Sequence, residues 1–210
     1  MSVTAMTIPA MSVADNRYAE HMGRWEPNSR GRLQEAALAL YSERGFDQTT
    51  AAQIAARAGV TERTFFRHFA DKREVLFGGS ALLKERIVTA VAGAPKKAGP
   101  LDAVAAGLDA AAAMLGASRR DLAGQRHAVI AANPELRERE LTKLADYTVA
   151  VAEVLRERGV GEVQASLAAE AGGTVLRVAV ERWSSGADDR ELSEVMREVL
   201  ADLRAVTRAR

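Results

Sequence analysis

The sequence predicts an all-α chain of about nine helices in two domains, and three observations carry that expectation. Apolar residues recur at i, i+3, i+4 and i+7 in one segment after another. No segment alternates apolar and polar residues as a half-buried strand does. Several segments open on Thr or Asp and stop at Gly, the residue types that cap helix starts and ends. The 210 residues suffice for two modest domains, each with its own core.

Residues 1–28 carry several Met residues, two Pro and no sustained period, and read as a flexible N-terminal arm. Met6, Met11 or Met22 is an alternative start. Arg24 and Trp25 give the arm a side chain suited to a minor groove and an aromatic beside it.

Residues 29–76 read as three short helices with a fourth beginning at their end. In SRGRLQEAALALYSERGFDQ, Leu33, Ala36, Ala37, Leu40 and Tyr41 form one apolar stripe, with Gly45 expected as a left-handed cap and Phe46 as its apolar clasp. Thr50 and Gln53 make a Thr-x-x-Gln capping box for the second helix. It stops at Ala58-Gly59-Val60, where Gly59 takes positive φ. Thr61 caps the third helix, and Asp71 with Glu74 repeats the capping-box spacing for the fourth. Two short helices joined by a three-residue turn centred on Gly form a helix-turn-helix. On a wheel of 100° per residue, Phe65 and Phe69 share one face of the third helix and Arg63 and Arg67 the opposite one. Thr64 and Phe66 flank the Arg face and His68 lies at its border.

Residues 77–210 read as helix throughout. Stripes run through 101–115, from Pro134 to Gly159, through 162–183 and through 191–206. Pro95–Pro100 and Ser184–Asp189 are the clearest loops. Gly172-Gly173 invites either close helix approach or a kink. The apolar stripe Leu192, Val195, Met196, Val199, Leu203 and Val206, in an otherwise charged segment, points to a helix partner.

Composition bounds the function. With no Cys there is no disulfide framework, thiolate nucleophile or Cys-based zinc site. No apolar run is long enough to span a bilayer and the first residues lack a secretory pattern, so a cytoplasmic location is expected. The net charge of +1 predicts no general affinity for nucleic acid. Local placement differs: from Arg24 to Arg73 there are nine Lys/Arg against six Asp/Glu, whereas from Phe77 onward they balance at 19 each. Nucleophile elbow, zincin, dinucleotide and phosphate-loop signatures are all missing, and His21, His68 and His127 are scattered. No enzyme, cofactor or metal site is expected.

AALALYSERGFDQTT, IAARAGV and TERTFFRHFADKREVL, with their spacing over residues 30–76, resemble the DNA-binding domain of the tetracycline-repressor (TetR) family of bacterial transcription regulators. The remainder is similar only in length and helical texture. The resemblance implies a helical ligand-binding and dimerisation domain over 77–210. It further implies a homodimer through the last two helices, a roughly palindromic DNA operator and release by a small-molecule effector. Where the family has a Tyr this chain has Phe66, which lacks the hydroxyl for a phosphate, and where a Gly is common it has Arg63.

On this reading Arg63 and Thr64 face bases, Arg63 as a bidentate donor suited to guanine. Thr50, Phe66, His68 and Lys72 set position on the backbone, Arg30 and Arg32 are candidates for phosphate, and Thr61 and Arg67 complete the DNA-binding set. Met114, His127, Tyr147, Arg177 and Trp183 are the candidate effector contacts. The expected function is a DNA-binding repressor released by a ligand. The alternative is a helical interaction scaffold that no longer binds DNA specifically, which would need Phe65 and Phe69 but not the Arg face.

Overall fold

The computed structural model describes residues 28–116, 120–186 and 190–207. Most of the predicted arm, Arg24 and Trp25 included, lies outside them. Among the described residues there are nine α-helices, one 3-10 turn and no strand. The helices are α1 Ser29–Arg44, α2 Ala51–Arg57, α3 Glu62–His68, α4 Ser80–Gly93, α5 Pro100–Gly116, α6 Arg120–Ala132, α7 Pro134–Glu157, α8 Glu162–Ser184 and α9 Leu192–Thr207. The 3-10 turn is Glu74–Phe77.

Two hydrophobic clusters organise the chain. The head is built on aromatics: Tyr41, Phe46, Phe65, Phe69 and Phe77, packed with the apolar face of α1 and with Ile54. Tyr41 meets Phe46 edge-on at 5.1 Å and Phe65 meets Phe69 at 5.7 Å, arrangements favoured by the ring quadrupoles. The same cluster takes in Val129, Ile130 and Leu136 of α6 and α7, so head and body share buried surface. The body, α4 to α9, is built on smaller residues, with Ala, Val and Leu predominating.

Three sequence expectations change. Asp71 does cap, its Oδ1 accepting from the Arg73 and Glu74 amides at 2.7 and 3.2 Å, but it opens the 3-10 turn rather than a long helix. The Glu74 carboxylate turns away to α7 instead of closing the box. Gly45 has the expected positive φ of 85°, yet its ψ of 156° is extended, a region open essentially to Gly alone, rather than left-handed helical.

The third concerns the glycine pair and the last helix. Gly172 and Gly173 are buried inside the subunit within an unbroken α8. A Cβ on Gly172 would lie 2.5 Å from a Val104 methyl of α5, and one on Gly173 2.6 Å from the Thr148 methyl of α7. The pair therefore lets α8 approach α5 and α7 within one subunit; it is neither a kink nor a surface for a partner. The α9 stripe likewise turns inward, with Leu192, Val195 and Met196 buried and Val199 and Leu203 packed against the body core. No single described helix is long and apolar enough to cross a membrane.

Candidate nucleic-acid interface

Local chemistry sets the helix-turn-helix. At the start of α2 both halves of the capping box form: Thr50 Oγ1 accepts from the Gln53 amide at 3.2 Å and the Gln53 side chain accepts from the Thr50 amide at 2.9 Å. Its end is a Schellman closure, with the Val60 amide donating to Ala55 at 3.0 Å and the Gly59 amide to Ala56 at 3.1 Å. This needs the Gly59 φ of 68°. Thr61 then caps α3 by accepting from the Thr64 amide at 3.2 Å. The turn thus holds α3 at a fixed angle to α2.

The third helix divides as its wheel requires. Phe65 is 0% exposed and Phe69 is buried, while Arg63, Phe66 and Arg67 are exposed. Phe66 is 53% exposed and its ring stands edge-on to Phe65 at 5.2 Å, so the buried ring braces the projecting one. Arg63 and Arg67 make no hydrogen bond or ion pair with described residues. The Thr64 hydroxyl lies 3.0 Å from that of Thr61, leaving it half-buried beside the cap.

Three residues expected on the DNA backbone also make contacts within the chain, with Arg30 exposed and His68 and Lys72 half-buried. The Lys72 ammonium donates to the carbonyls of Phe46 at 2.8 Å and Thr49 at 3.0 Å, with Asp47 at 3.4 Å. It also lies 4.2 Å from the Phe46 ring centre. Its three protons have acceptors, so Lys72 clips the loop between α1 and α2. The Arg30 guanidinium donates to the Gly78 carbonyl and covers the Phe69 ring at 5.5 Å. His68 Nε2 meets Ser29 Oγ at 2.9 Å, tying the end of α3 to the start of α1. Burial, then the charges of Arg67 and Arg30, lowers the His68 pKa, so the ring is neutral at pH 7. Arg32 is half-buried on α1.

An apolar slot lies in the body between α4, α5, α7 and α8. Its walls are apolar, including Ile87, Val91, Val104, Leu108 and Leu176, and its polar groups are the hydroxyls of Tyr147 and Thr148. Its volume is about 20 Å³, room for a water-sized sphere. Of the five candidate effector contacts only Tyr147 lines it. Burial is the main cause that raises the Tyr147 pKa, so the phenol stays protonated. Trp183 is buried with the Arg120 guanidinium 5.2 Å from its ring centre. Arg177 is exposed, 3.7 Å from Glu181, and Met114 and His127 are half-buried away from the slot. Sequence reasoning missed every wall residue but Tyr147, and Gly172 and Gly173 were visible beforehand only as an unusual pair. Among the described residues no group of three or more His, Asp or Glu is placed to hold a metal ion.

Comparison with known proteins agrees with this geometry. Residues 33–77 match the family model described as bacterial regulatory proteins, tetR family, and residues 98–208 match the MftR C-terminal domain. A curated relative, the HTH-type transcriptional regulator TcmR of Streptomyces glaucescens, is 37% identical over 120 residues, covering 57% of this chain and 52% of that protein. The chain thus spans about half the length of that curated relative.

Among solved structures, Thermus thermophilus FadR in complex with lauroyl-CoA superposes with a TM-score of 0.53 at 25% identity, over 86% of this chain and 96% of that one. The SmeT–triclosan complex gives a TM-score of 0.61 at 18% identity, over 86% and 91%. Bacillus subtilis FadR in complex with stearoyl-CoA gives 0.58 at 21%, over 82% and 96%. The last two, at these identities, speak to the fold alone.

Proposed function

The chain belongs to the TetR family of bacterial regulatory proteins, and from that premise we propose that it is a cytoplasmic, homodimeric repressor that an apolar small molecule releases from DNA. The family is one of transcription regulators rather than enzymes. The observation that carries the DNA reading is the outer face of α3, where Arg63, Phe66 and Arg67 are exposed on a helix fixed by two Thr caps and a Schellman turn. Free cations on a rigid helix suit a major groove lined by phosphates and guanine acceptors. Arg63 reads a base edge, and Arg67 reads a neighbouring base or phosphate. Phe66 packs on sugar or a thymine methyl. Thr50 and Thr61 fix the angle of approach.

The dimer reading rests on the outer surface of α8 and α9. With the α9 stripe turned inward except at Val206, the large apolar residues still exposed there are Val163, Leu167 and Val206. Two copies of that pair of helices would cover them, giving two heads on a two-fold axis and a palindromic operator. The effector reading rests on the slot. Its walls hold no charged side chain, and a buried charge without a partner is costly, so the bound portion of the ligand is uncharged and apolar. Thermus thermophilus FadR is a complex with lauroyl-CoA, whose acyl chain shares that character.

The test is selection of duplexes from a random pool with the full chain, followed by anisotropy titration of the enriched duplex at several salt concentrations. A palindromic consensus whose affinity falls steeply with salt supports the reading. Failure to enrich any duplex at low salt would sink it and leave the scaffold reading.

A further inference from the structure

Residues 45–49 leave α1 and deliver the chain to the capping box that starts α2. They lie outside any helix, so their carbonyls need donors from elsewhere. Two side chains supply them. The Thr49 hydroxyl donates to the Gly45 carbonyl at 2.9 Å. The Lys72 ammonium takes the next carbonyls, those of Phe46 at 2.8 Å, Asp47 at 3.4 Å and Thr49 at 3.0 Å. An ammonium has three protons and no acceptor, so three carbonyls turned toward one point match its full donor capacity. The Phe46 ring, centred 4.2 Å away, closes the enclosure with its electron-rich face.

Lys72 is itself anchored. Its own carbonyl accepts from the Tyr41 phenol at 2.5 Å. Burial, with Asp71 second, raises the Tyr41 pKa, so the phenol keeps the proton it donates. The Tyr41 ring also stands edge-on to Phe46 at 5.1 Å. The end of α1, the loop and the residue four places beyond α3 thus meet at one point. Thr49 leads directly into Thr50, the cap of α2, so a shift of the Thr49 carbonyl shifts the first turn of α2.

We propose that Lys72 is a positioning residue for DNA binding, which sets the start of α2 against the duplex through the carbonyls of residues 46–49, rather than a contact to phosphate. The proposal rests on the regulator reading above. A phosphate would have to draw the ammonium out of its enclosure, and the carbonyl of Thr49, a residue only 1% exposed, would lose that donor. The charge of Lys72 is held inside the head, whereas Arg63 and Arg67 are exposed on α3. The release of counterions from the duplex therefore belongs to the α3 arginines and not to Lys72.

Two measurements on the full chain test this. In the first, wild-type protein, free and bound to the selected duplex, is briefly dimethylated with formaldehyde and cyanoborohydride, and each lysine is followed by peptide mass spectrometry. Lys72 is the only lysine between residues 29 and 76, and the exposed Lys84, Lys96 and Lys97 serve as internal controls. Lys72 should react at least about tenfold more slowly than the controls in both states, because an enclosed amine is reached only through local opening. Reaction at the control rate in the free protein would overturn the proposal, whether or not DNA then suppresses it. In the second, Lys72→Met is titrated onto the duplex at several salt concentrations, at a temperature where circular dichroism shows variant and wild type equally folded. Affinity should fall at least about threefold while the salt slope stays within about 0.5 of wild type, as expected of a residue that positions the head without touching phosphate. A slope reduced by about one is the mark of a lost phosphate contact and would contradict the proposal. So would unchanged affinity, the result for a lysine that serves stability alone. If Lys72→Met does not fold, the labelling decides. Failure to enrich any duplex would sink the regulator reading, and the labelling of the free protein would still show whether the ammonium is enclosed.

Discussion

The head and the body solve the same packing problem with different materials. In the head a few large rings do most of the burial, with Phe46, Phe65 and Phe69 meeting Tyr41 and Phe77 across three short helices. In the body long helices lie close because small residues let them, with Gly172 and Gly173 at the tightest approach. Their cations differ as well. On α3, Arg63 and Arg67 face outward without a described partner. In the body Arg158 donates to the carbonyls of Ala92, Ala94 and Pro95 at 2.8–2.9 Å, closing the end of α4. Arg182 and Arg190 hold Glu198, and these hydrogen bonds, that of Arg190 first, keep the Glu198 carboxyl below its usual pKa. The body cations named close the fold through partners in the same chain, whereas the α3 pair has none among the described residues.

That contrast orders the effects of substitution. Phe65→Ala should be the most damaging, because removing a fully buried ring from a core with few anchors costs about 3–5 kcal/mol. Denaturant unfolding would show it, and a loss below about 1 kcal/mol would break the picture of a head held by few rings. Gly172→Ala or Gly173→Ala tests the body. The stiff β-branched neighbours Val104 and Thr148 cannot yield easily, so a loss of about 1–3 kcal/mol is expected, and a stabilised variant would contradict it. Thr50→Ala removes half of the capping box and should cost about 1 kcal/mol. The exposed Arg57–Glu43 pair at 2.8 Å should matter least, with Arg57→Ala leaving the denaturation midpoint nearly unchanged because solvent screens the pair.

A pH titration sharpens the comparison within the head. The His68 pKa is lower in the folded chain than in the unfolded one, so the unfolded state binds the extra proton first. Stability should therefore fall as pH drops below the unfolded value of about 6.5, and His68→Gln should flatten that decline. An unchanged slope in the variant would place the titrating group elsewhere.

Local rules made the head readable. Caps, the Gly59 turn and the wheel of α3 depend on residues within four or five positions of one another, and Thr50, Thr61, Phe65 and Phe69 sit where those rules put them. The side chains of Arg30, His68 and Lys72 were harder, because their partners Gly78, Ser29 and Phe46 lie 26 to 48 residues away. A lone Lys after a cap carries no sign in the sequence that three carbonyls will meet it. The body was legible as helices but not as a site. The apolar stripe of α9 looked like a partner surface, and only the fold showed α5 and α8 already covering it. The slot is lined by ordinary aliphatic residues from four helices, so polar residues such as His127 and Arg177 drew attention away from it.

The central claim is that the free face of α3 reads DNA. Its most direct test is anisotropy titration of the selected duplex with wild type and with Arg63→Ala/Arg67→Ala, alongside a denaturation curve for each. Both positions are exposed and have no partner among the described residues, so stability should change by no more than about 0.5 kcal/mol. Affinity should drop at least about tenfold, from loss of a base contact worth roughly 1–3 kcal/mol and of charge near the phosphates, with a shallower salt dependence. Equal affinity and an equal salt slope in a variant of unchanged stability would contradict the account.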